Sequence, residues 1–151
     1  MIANDRDFTT VKNSPIQGNG LFAKKLIPKG TRILEYEGER VLKSNLISDI
    51  ATGLTSGIYV MNLNETTVID AERNGNNARF ANHSCDPNCE IMFFNKTPYL
   101  YAMENIPEGI ELNFDYKLGF GDEVEMSNED KKEWFPCKCG TANCRGTLLV
   151  N

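Results

Sequence analysis

The chain has 151 residues, enough for one domain with its own hydrophobic core, and the composition of an ordinary soluble globular protein. Its net charge is −5, and ten of its acidic residues lie between Glu104 and Glu133, with only three lysines among them. Acidic side chains repel phosphate, so direct nucleic-acid binding is not expected. The acidic segment fits either a solvated surface or a surface that attracts a basic partner.

No part of the sequence has the pattern of a membrane anchor or a secretion signal. No apolar run reaches the roughly 18 residues that a membrane helix needs, and the start from Met1 to Asp7 is too polar for a signal peptide. The five cysteines are an odd number, which does not suit a disulfide framework. We therefore expect an intracellular protein in a reducing compartment, without a membrane partner.

The N-terminal part of the chain is predicted to form short strands joined by turns. Phe8 to Val11 has strand character, and the loop after it contains Gly18 and Gly20. Such glycines let a backbone approach a ligand or take positive φ, although a plain turn is the simpler explanation of so short a motif. The turn Ile27-Pro28-Lys29-Gly30 then leads into a strand from Thr31 to Tyr36.

The middle of the chain adds one short helix and several further strands. Apolar residues at helical spacing predict a helix between Val41 and Thr52, with Gly53 at its C-terminal end. Strands are predicted at Ile58 to Leu63, Thr66 to Asp70, Glu90 to Phe94, Tyr99 to Ala102 and Ile110 to Phe114. Asn95 to Pro98 is the expected turn of the second hairpin. The pattern predicts a mainly β fold of several small sheets.

The stretch from Asn77 to Cys89 is the least regular, and it contains the only histidine of the chain. Strand-like runs flank it, so we expect it to enter the interior, where polar side chains need partners. His83 is thus either a hydrogen-bonded core residue or part of a site. A thiol-protease pair of His83 and Cys85 is a weak alternative, because the sequence indicates no orienting third group and no oxyanion hole.

A cysteine cluster near the C terminus indicates a metal site. Its members are Cys137, Cys139 and Cys144. In a reducing compartment, thiols at this spacing favour a metal over disulfides. Tetrahedral zinc needs a fourth ligand, and the remaining candidates are His83, Cys85 and Cys89. Zinc would then join the C-terminal segment to the irregular stretch.

Six motifs, in order, resemble those of the SET-domain protein lysine methyltransferases. They are Gly18 to Phe22, Glu35 to Glu39, Val68 to Ala71, Gly75-Asn76, Arg79 to Asn88 and Glu111 to Tyr116. The cysteine cluster with Arg145-Gly146 is similar to the family's post-SET module. The resemblance begins at about Phe8 and implies a SET domain over residues 8–120, an acidic linker over 121–133 and a post-SET zinc module over 134–151.

The resemblance also implies a fold and a set of binding residues. The strand ending at Tyr116 would thread beneath the loop around Asn82 to Pro87, as a pseudoknot, and S-adenosylmethionine and a substrate lysine would approach from opposite sides. The residues implied to bind the cofactor are Gly18, Asn19, Gly20, Tyr59, Arg79, Asn82, His83 and Leu148. Those implied to bind zinc are Cys85, Cys137, Cys139 and Cys144. Cys89 is left as a small core residue.

The implied catalytic residues are Tyr116, Phe114 and Tyr36. Tyr116 matches the family's essential tyrosine, whose hydroxyl orients the amine; the alternative is a tyrosine that only packs at a strand end. Methyl transfer from a sulfonium to a neutral amine needs alignment and a desolvated lysine, and no dedicated general base. Phe114 leaves more room than a tyrosine at its position, which implies di- or trimethylation.

The sequence therefore predicts an S-adenosylmethionine-dependent protein-lysine N-methyltransferase with a basic protein substrate. A histone tail is the expected substrate, and this would place the protein in the nucleus on chromatin. The alternatives are a catalytically inactive SET-like binding module held by zinc, a methyltransferase for another protein, and one for small amines or free amino acids. The presence of Tyr116, Asn82, His83 and the glycine loop favours the enzyme.

Overall fold

The structure, a computed structural model, describes residues 7–117 and 126–150. Within them the strands are β1 (Thr9–Asn13), β2 (Asn19–Ala23), β3 (Arg32–Glu35), β4 (Glu39–Leu42), β5 (Val60–Asn62), β6 (Thr67–Asp70), β7 (Asn82–His83), β8 (Cys89–Phe94), β9 (Thr97–Ala102) and β10 (Glu111–Phe114). The helices are α1 (Lys43–Ala51), α2 (Asn128–Trp134) and a 3₁₀ helix (Asn77–Phe80). The prediction of a mainly β fold is confirmed. Residues 1–6 of the polar N-terminal start, residues 118–120 of the expected SET domain and residues 121–125 of the expected acidic linker lie outside the described residues.

The strands form three small sheets. Their strand orders are β1-β2-β10-β7, β3-β9-β8 and β4-β6-β5. Neighbouring strands are antiparallel except β10 and β7, which run parallel and pair Asn113 with Asn82 and Phe114 with His83. The parallel pair brings the C-terminal end of the SET-like region beside the irregular stretch. No helix in the described ranges has the length and apolar character to span a membrane.

One hydrophobic core fixes the first two sheets relative to each other. Leu21 of β2, Leu100 of β9 and Leu112 of β10 are at most 1% exposed, and they belong to one cluster with Ile27 and Ile106. Burying each such side chain contributes about 1.5–3 kcal/mol. Both β2 and β10, which carry parts of the candidate site, are therefore anchored in the most buried part of the molecule.

Two similar Pro-Gly turns pair with each other. Ile27 and Ile106, the residues before the two prolines, exchange two backbone hydrogen bonds of 2.8 Å. In both turns the glycine takes a positive φ, +86° at Gly30 and +87° at Gly109. The sequence shows the two turns but not their contact, because the isoleucines lie far apart in the chain.

The β8–β9 hairpin has a tighter turn than the sequence predicted. The turn is formed by Asn95 and Lys96, whose φ angles of 50° and 65° fit a two-residue turn that matches strand twist. Pro98, expected in the turn, lies in β9 opposite Phe93. Its carbonyl accepts a hydrogen bond from the Tyr36 backbone N–H at 2.9 Å.

Helix α1 lies within the predicted range, and its C-terminal end confirms the role of Gly53. The backbone N–H of Gly53 bonds to Ile50 and that of Leu54 to Asp49, with Gly53 at φ +80°, as in a Schellman motif. The prediction missed β4, which immediately precedes the helix. It also overestimated the apolar face, because Leu46 is buried whereas Ile47 is 70% exposed.

Candidate active site and metal centre

The irregular stretch is held against β10 at two points. Downstream of β7, the Ser84 backbone N–H donates to the carbonyl of Phe114 at 3.1 Å. Farther along, the Asn88 and Asn113 side-chain oxygens each accept from the other residue's backbone N–H at 3.0 Å, and Asn88 Nδ2 donates to the Glu111 carbonyl at 2.8 Å. These bonds satisfy the polar groups of the loop, which therefore keeps a fixed position without regular secondary structure.

His83 is buried and electrically neutral in this arrangement. Its Nδ1 accepts a hydrogen bond from the Tyr116 backbone N–H at 3.1 Å, which assigns the ring proton to Nε2. Nε2 lies 3.4 Å from Cys85 Sγ, and burial lowers the pKa of His83. The 3.6 Å approach of Asp115 to Nδ1 is therefore not an ion pair. His83 acts here as a hydrogen-bond donor to a thiol sulfur.

Tyr116 and Tyr36 are protonated phenols at neutral pH. Burial raises the pKa of Tyr116 far above its usual value and that of Tyr36 to about 12. The Tyr116 hydroxyl donates to the Ala81 carbonyl at 2.7 Å, and its ring packs against Phe114 at 4.8 Å between centroids. Neither tyrosine can serve as a general base at this pH, but both can take part in hydrogen bonds.

The glycine loop and Asn82 are brought together, although they lie over 60 residues apart in the sequence. Asn82 Nδ2 donates to the Asn19 carbonyl at 3.3 Å. Gly18 has φ +49°, so its conformation needs a glycine or an equally tolerant residue. Position 20 needs glycine for a different reason, because a Cβ there would lie 2.7 Å from Glu111 Oε2.

Tyr59 and Arg79 also lie together, beside the 3₁₀ helix. The Arg79 guanidinium stands 4.6 Å from the ring of Phe80 and 5.8 Å from that of Tyr59. The edge of one ring meets the face of the other at 5.9 Å between centroids. Tyr36 belongs to a buried cluster against which Tyr59 packs.

A cavity opens between the irregular stretch and the C-terminal segment. It is lined by Ile16, Gln17, Asn82, His83, Tyr116, Pro136, Cys137, Lys138 and Leu148. Five residues of this lining are site residues predicted from the sequence: Asn82, His83, Tyr116 and Leu148, and the expected zinc ligand Cys137. The sequence analysis did not predict Ile16, Gln17, Pro136 and Lys138. These residues are neighbours of Gly18 and Cys137 in the sequence, and this proximity could have indicated them.

Four thiols form a cluster that fits zinc. The ligand atoms of Cys85, Cys137, Cys139 and Cys144 all lie within 4.8 Å of one another. The sulfurs of Cys85 and Cys137 are 3.7 Å apart, and tetrahedral zinc with bonds of about 2.3 Å places its sulfurs about 3.8 Å apart. Backbone N–H groups of Arg145 and Gly146 point to cluster sulfurs, as expected for thiolates. The set of four sulfurs is able to hold zinc.

The other two fourth-ligand candidates do not complete this cluster. Cys89 is completely buried in β8 opposite Ala102. His83 bonds through Nδ1 to the backbone and offers only a donor on Nε2. The proximity of Cys85 to three further thiols also removes it as the nucleophile of a protease pair.

An ion pair joins the C-terminal segment to Asp115, the residue after β10, and the cysteine cluster joins it to the irregular stretch. Arg145 donates two hydrogen bonds to the Asp115 carboxylate, at 2.7 and 3.1 Å. Within the segment, the Leu148 backbone N–H bonds to the carbonyl of Phe135 at 3.0 Å, and Pro136 forms an isolated bridge with Thr147. Leu148 thereby reaches the rim of the cavity.

The family model described as SET domain matches residues 18–117, and the chain belongs to the SET domain family. The family predicted from the six motifs is thus confirmed. Among curated relatives, a histone-lysine N-methyltransferase, H3 lysine-4 specific, of Chaetomium globosum is 40% identical in an alignment of length 144 that covers 89% of this chain and 12% of that protein. Histone-lysine N-methyltransferase trithorax of Drosophila virilis is 36% identical, over 95% of this chain and 4% of that protein.

The human relative and a solved structure agree with this assignment. Histone-lysine N-methyltransferase 2D of Homo sapiens is 38% identical over 87% of this chain and 2% of its own length. The crystal structure of KRYPTONITE in complex with mCHG DNA and SAH has a TM-score of 0.71 and 26% identity, over 93% of this chain and 28% of that one. The chain therefore spans only a small part of the proteins it matches.

Proposed function

We propose that the protein is an S-adenosylmethionine-dependent protein-lysine N-methyltransferase. One local observation supports this beyond family membership. The protonated phenol of Tyr116 lies on the same cavity as Asn82, His83 and Leu148, which are the residues expected to meet the cofactor. The relatives are named histone-lysine N-methyltransferases, and the same reaction is proposed here for the part that this chain shares with them.

The cavity, together with the loop that follows its lining residue Gln17, would hold a cofactor with one polar and one apolar end. Backbone carbonyls and amides of the loop from Gly18 to Gly20 would hold the amino-acid end, and Leu148 would cover the adenine. Tyr59 and Arg79 would border the site. S-adenosylmethionine supplies an electrophilic methyl group when bound. The task of the protein is then to position a neutral lysine amine in line with it.

The phenols of Tyr36 and Tyr116 would orient the amine without deprotonating it. The Tyr116 hydrogen is committed to the Ala81 carbonyl, so its oxygen is free to accept a hydrogen bond from the amine. That contact would fix the direction of the nitrogen lone pair and favour the transition state. Burial among aromatic rings would lower the lysine pKa and supply the neutral form.

Phe114 would set the number of methyl groups that the site accepts. Its side chain is 8% exposed and packs against Tyr116. A phenyl ring has no hydroxyl to retain water or to crowd a methylated amine. We therefore propose di- or trimethyl-lysine as the product.

The proposed substrate is a lysine of a histone tail, which would place the protein on chromatin in the nucleus. The names of the relatives and the acidic segment between Glu104 and Glu133 both support a basic substrate. Absence of direct nucleic-acid binding stays a prediction, since the KRYPTONITE structure contains DNA and this chain covers 28% of it. Titrating labelled duplex DNA with the protein checks this, and no change in anisotropy is expected.

The deciding experiment is incubation of the zinc-loaded protein with labelled S-adenosylmethionine and a panel of histones, followed by peptide mass spectrometry. Tyr116→Phe, which removes only the hydroxyl, should lower the rate by about 10²–10³-fold while cofactor binding by calorimetry persists. Cofactor binding without labelling of any histone would contradict the proposed histone substrate. No labelling and no cofactor binding would favour the inactive binding module.

A further inference from the structure

The Glu111 carboxylate joins two parts of the molecule that the cofactor site needs. Glu111 begins β10. Its two oxygens lie 2.7 and 2.8 Å from Ser14 Oγ, and Oε2 also accepts from Asn82 Nδ2 at 2.9 Å. Ser14 and Glu111 are 97 residues apart in the sequence. One half-buried carboxylate thus bonds to both the N-terminal loop and the irregular stretch.

Ser14 connects the Glu111 carboxylate to the glycine loop. Its hydroxyl oxygen accepts from the Ile16 backbone N–H at 3.0 Å, and its own backbone N–H donates to the Gly18 carbonyl at 2.7 Å. The loop from Ser14 to Gly18 is therefore closed on the serine, while the serine hydroxyl hydrogen is directed to Glu111. Moving the carboxylate would release the loop.

The orientation of the Asn82 amide follows from the same network. Besides Glu111, Nδ2 lies 3.2 Å from Ser14 Oγ, 3.2 Å from the Gln17 carbonyl and 3.3 Å from the Asn19 carbonyl. These groups can all accept, so the nitrogen and not the oxygen must face them. Within the described ranges, Asn82 Oδ1 accepts no protein hydrogen bond, which leaves it for a donor on a ligand.

Gly20 shows how closely β2 approaches the carboxylate. A Cβ at this position would lie 2.7 Å from Glu111 Oε2 and 2.9 Å from Ser14 Cβ. Side chains larger than hydrogen would therefore displace the network, although the backbone of Gly20 has an ordinary φ. The second glycine of the loop is explained by the carboxylate behind it.

We infer that Glu111 is a positioning residue for the amino-acid end of the cofactor. It acts through Ser14 on the glycine loop and through the amide of Asn82, which is tied to the same loop, and it contacts no cofactor atom itself. The inference rests on the proposed function, because it presumes that the loop holds this end. Part of the affinity for the amino-acid end of the cofactor would then depend on Glu111, a charged side chain behind the cavity lining.

The test compares two ligands that differ at that end. S-adenosylhomocysteine carries the amino acid, and 5′-methylthioadenosine lacks it. Glu111→Gln should weaken binding of S-adenosylhomocysteine about tenfold, because charge-assisted hydrogen bonds are lost, and leave methylthioadenosine within about twofold. Calorimetry measures the first ligand and chemical-shift titration the second. Glu108→Gln removes the same charge from the exposed turn before β10 and should match the wild type for both.

The outcomes separate this inference from the proposed function. A wild-type protein that binds neither ligand overturns the proposed function and the inference with it. If the wild type binds and Glu111→Gln either keeps full affinity or loses both ligands equally, only the inference is overturned. Should Glu111→Gln not fold, Ser14→Ala decides: selective weakening of S-adenosylhomocysteine supports the inference, and unchanged binding of both ligands contradicts it.

Discussion

The region around β7 and β10 and the C-terminal segment after α2 face the same cavity but are stabilised in different ways. In the first region, Leu112 is fully buried and Phe114 is 8% exposed, and the backbone is hydrogen-bonded to neighbours on both sides. In the second, residues 135–150 form one isolated bridge and a few backbone hydrogen bonds, and their three cysteines belong to the cluster of four thiols. Hydrophobic burial stabilises the first region, whereas the second contains a cysteine cluster that is able to hold zinc.

This difference predicts that the two walls of the cavity can be separated experimentally. The β7–β10 wall should persist whenever the core is folded. The C-terminal wall should depend on zinc and on the Asp115–Arg145 ion pair, since it buries few apolar side chains; Leu149 is one of them, at 3% exposed. A protein without zinc should thus keep Tyr116 in place and lose Leu148 from the cavity.

Removing zinc should have the largest effect. Structural zinc stabilises small modules by about 10–16 kcal/mol, so chelation should expose the amides of residues 135–150 to rapid hydrogen exchange while those of β9 and β10 stay protected. Mass spectrometry of peptides from both regions measures this. Equal protection of both regions after verified zinc removal would show that the segment does not depend on the metal.

Replacing one cysteine should have a similar but local effect. Cys85→Ser should lower the zinc content and weaken cofactor binding together, because this thiol is the only cluster member contributed by the irregular stretch. Cys89→Ser is the matched control: it alters a buried thiol of the core and should leave zinc content near one. Metal analysis and calorimetry provide the two readouts. If Cys89→Ser loses zinc and Cys85→Ser retains it, then Cys89 and not Cys85 is the fourth ligand.

Breaking the Asp115–Arg145 pair should have an intermediate effect. The pair is bidentate but only partly buried, so solvent screening limits its contribution to about 1 kcal/mol. Arg145→Ala should retain zinc and weaken S-adenosylhomocysteine several-fold. Lys24→Ala removes an exposed ion pair with Asp7 and should change neither. If Arg145→Ala binds S-adenosylhomocysteine as tightly as the wild type, the ion pair does not contribute to the cofactor site.

Phe114→Tyr should change the product and little else. The added hydroxyl extends into the space proposed for the methylated amine, so the product should shift toward monomethyl-lysine. The melting temperature should move little, because the ring itself is retained. Mass spectra of the product peptide measure the shift, and unchanged spectra would refute the proposed role of Phe114.

Much of the fold could be predicted because its information is local. Strand patterns, the Pro-Gly turns and Gly53 at the end of α1 depend on neighbouring residues, and the structure confirms them. The contacts that were missed join distant residues: Ile27 with Ile106, Ser14 with Glu111, and Arg145 with Asp115. Nothing in the local sequence of either partner indicates such a contact.

The candidate site was predicted mainly from ordered motifs and less from residue chemistry. Residue types and spacing alone left His83, Cys85 and Cys89 open as the fourth ligand. The resemblance to the family chose Cys85, and the structure brings Cys85 to the three other thiols and buries Cys89 in the core. The glycine pattern alone favoured a plain turn, and the resemblance implied cofactor binding at Gly20. The structure shows a further constraint on this residue, the Glu111 carboxylate close behind it.

The claim that the core and the zinc module form one cofactor site is tested most directly by calorimetry with S-adenosylhomocysteine before and after zinc removal. Hydrogen exchange in the same samples verifies that β10 remains folded. We expect binding to the zinc-loaded protein and at least about a tenfold loss of affinity without zinc, with the affinity restored when zinc is returned. Equal affinity in both forms would contradict it.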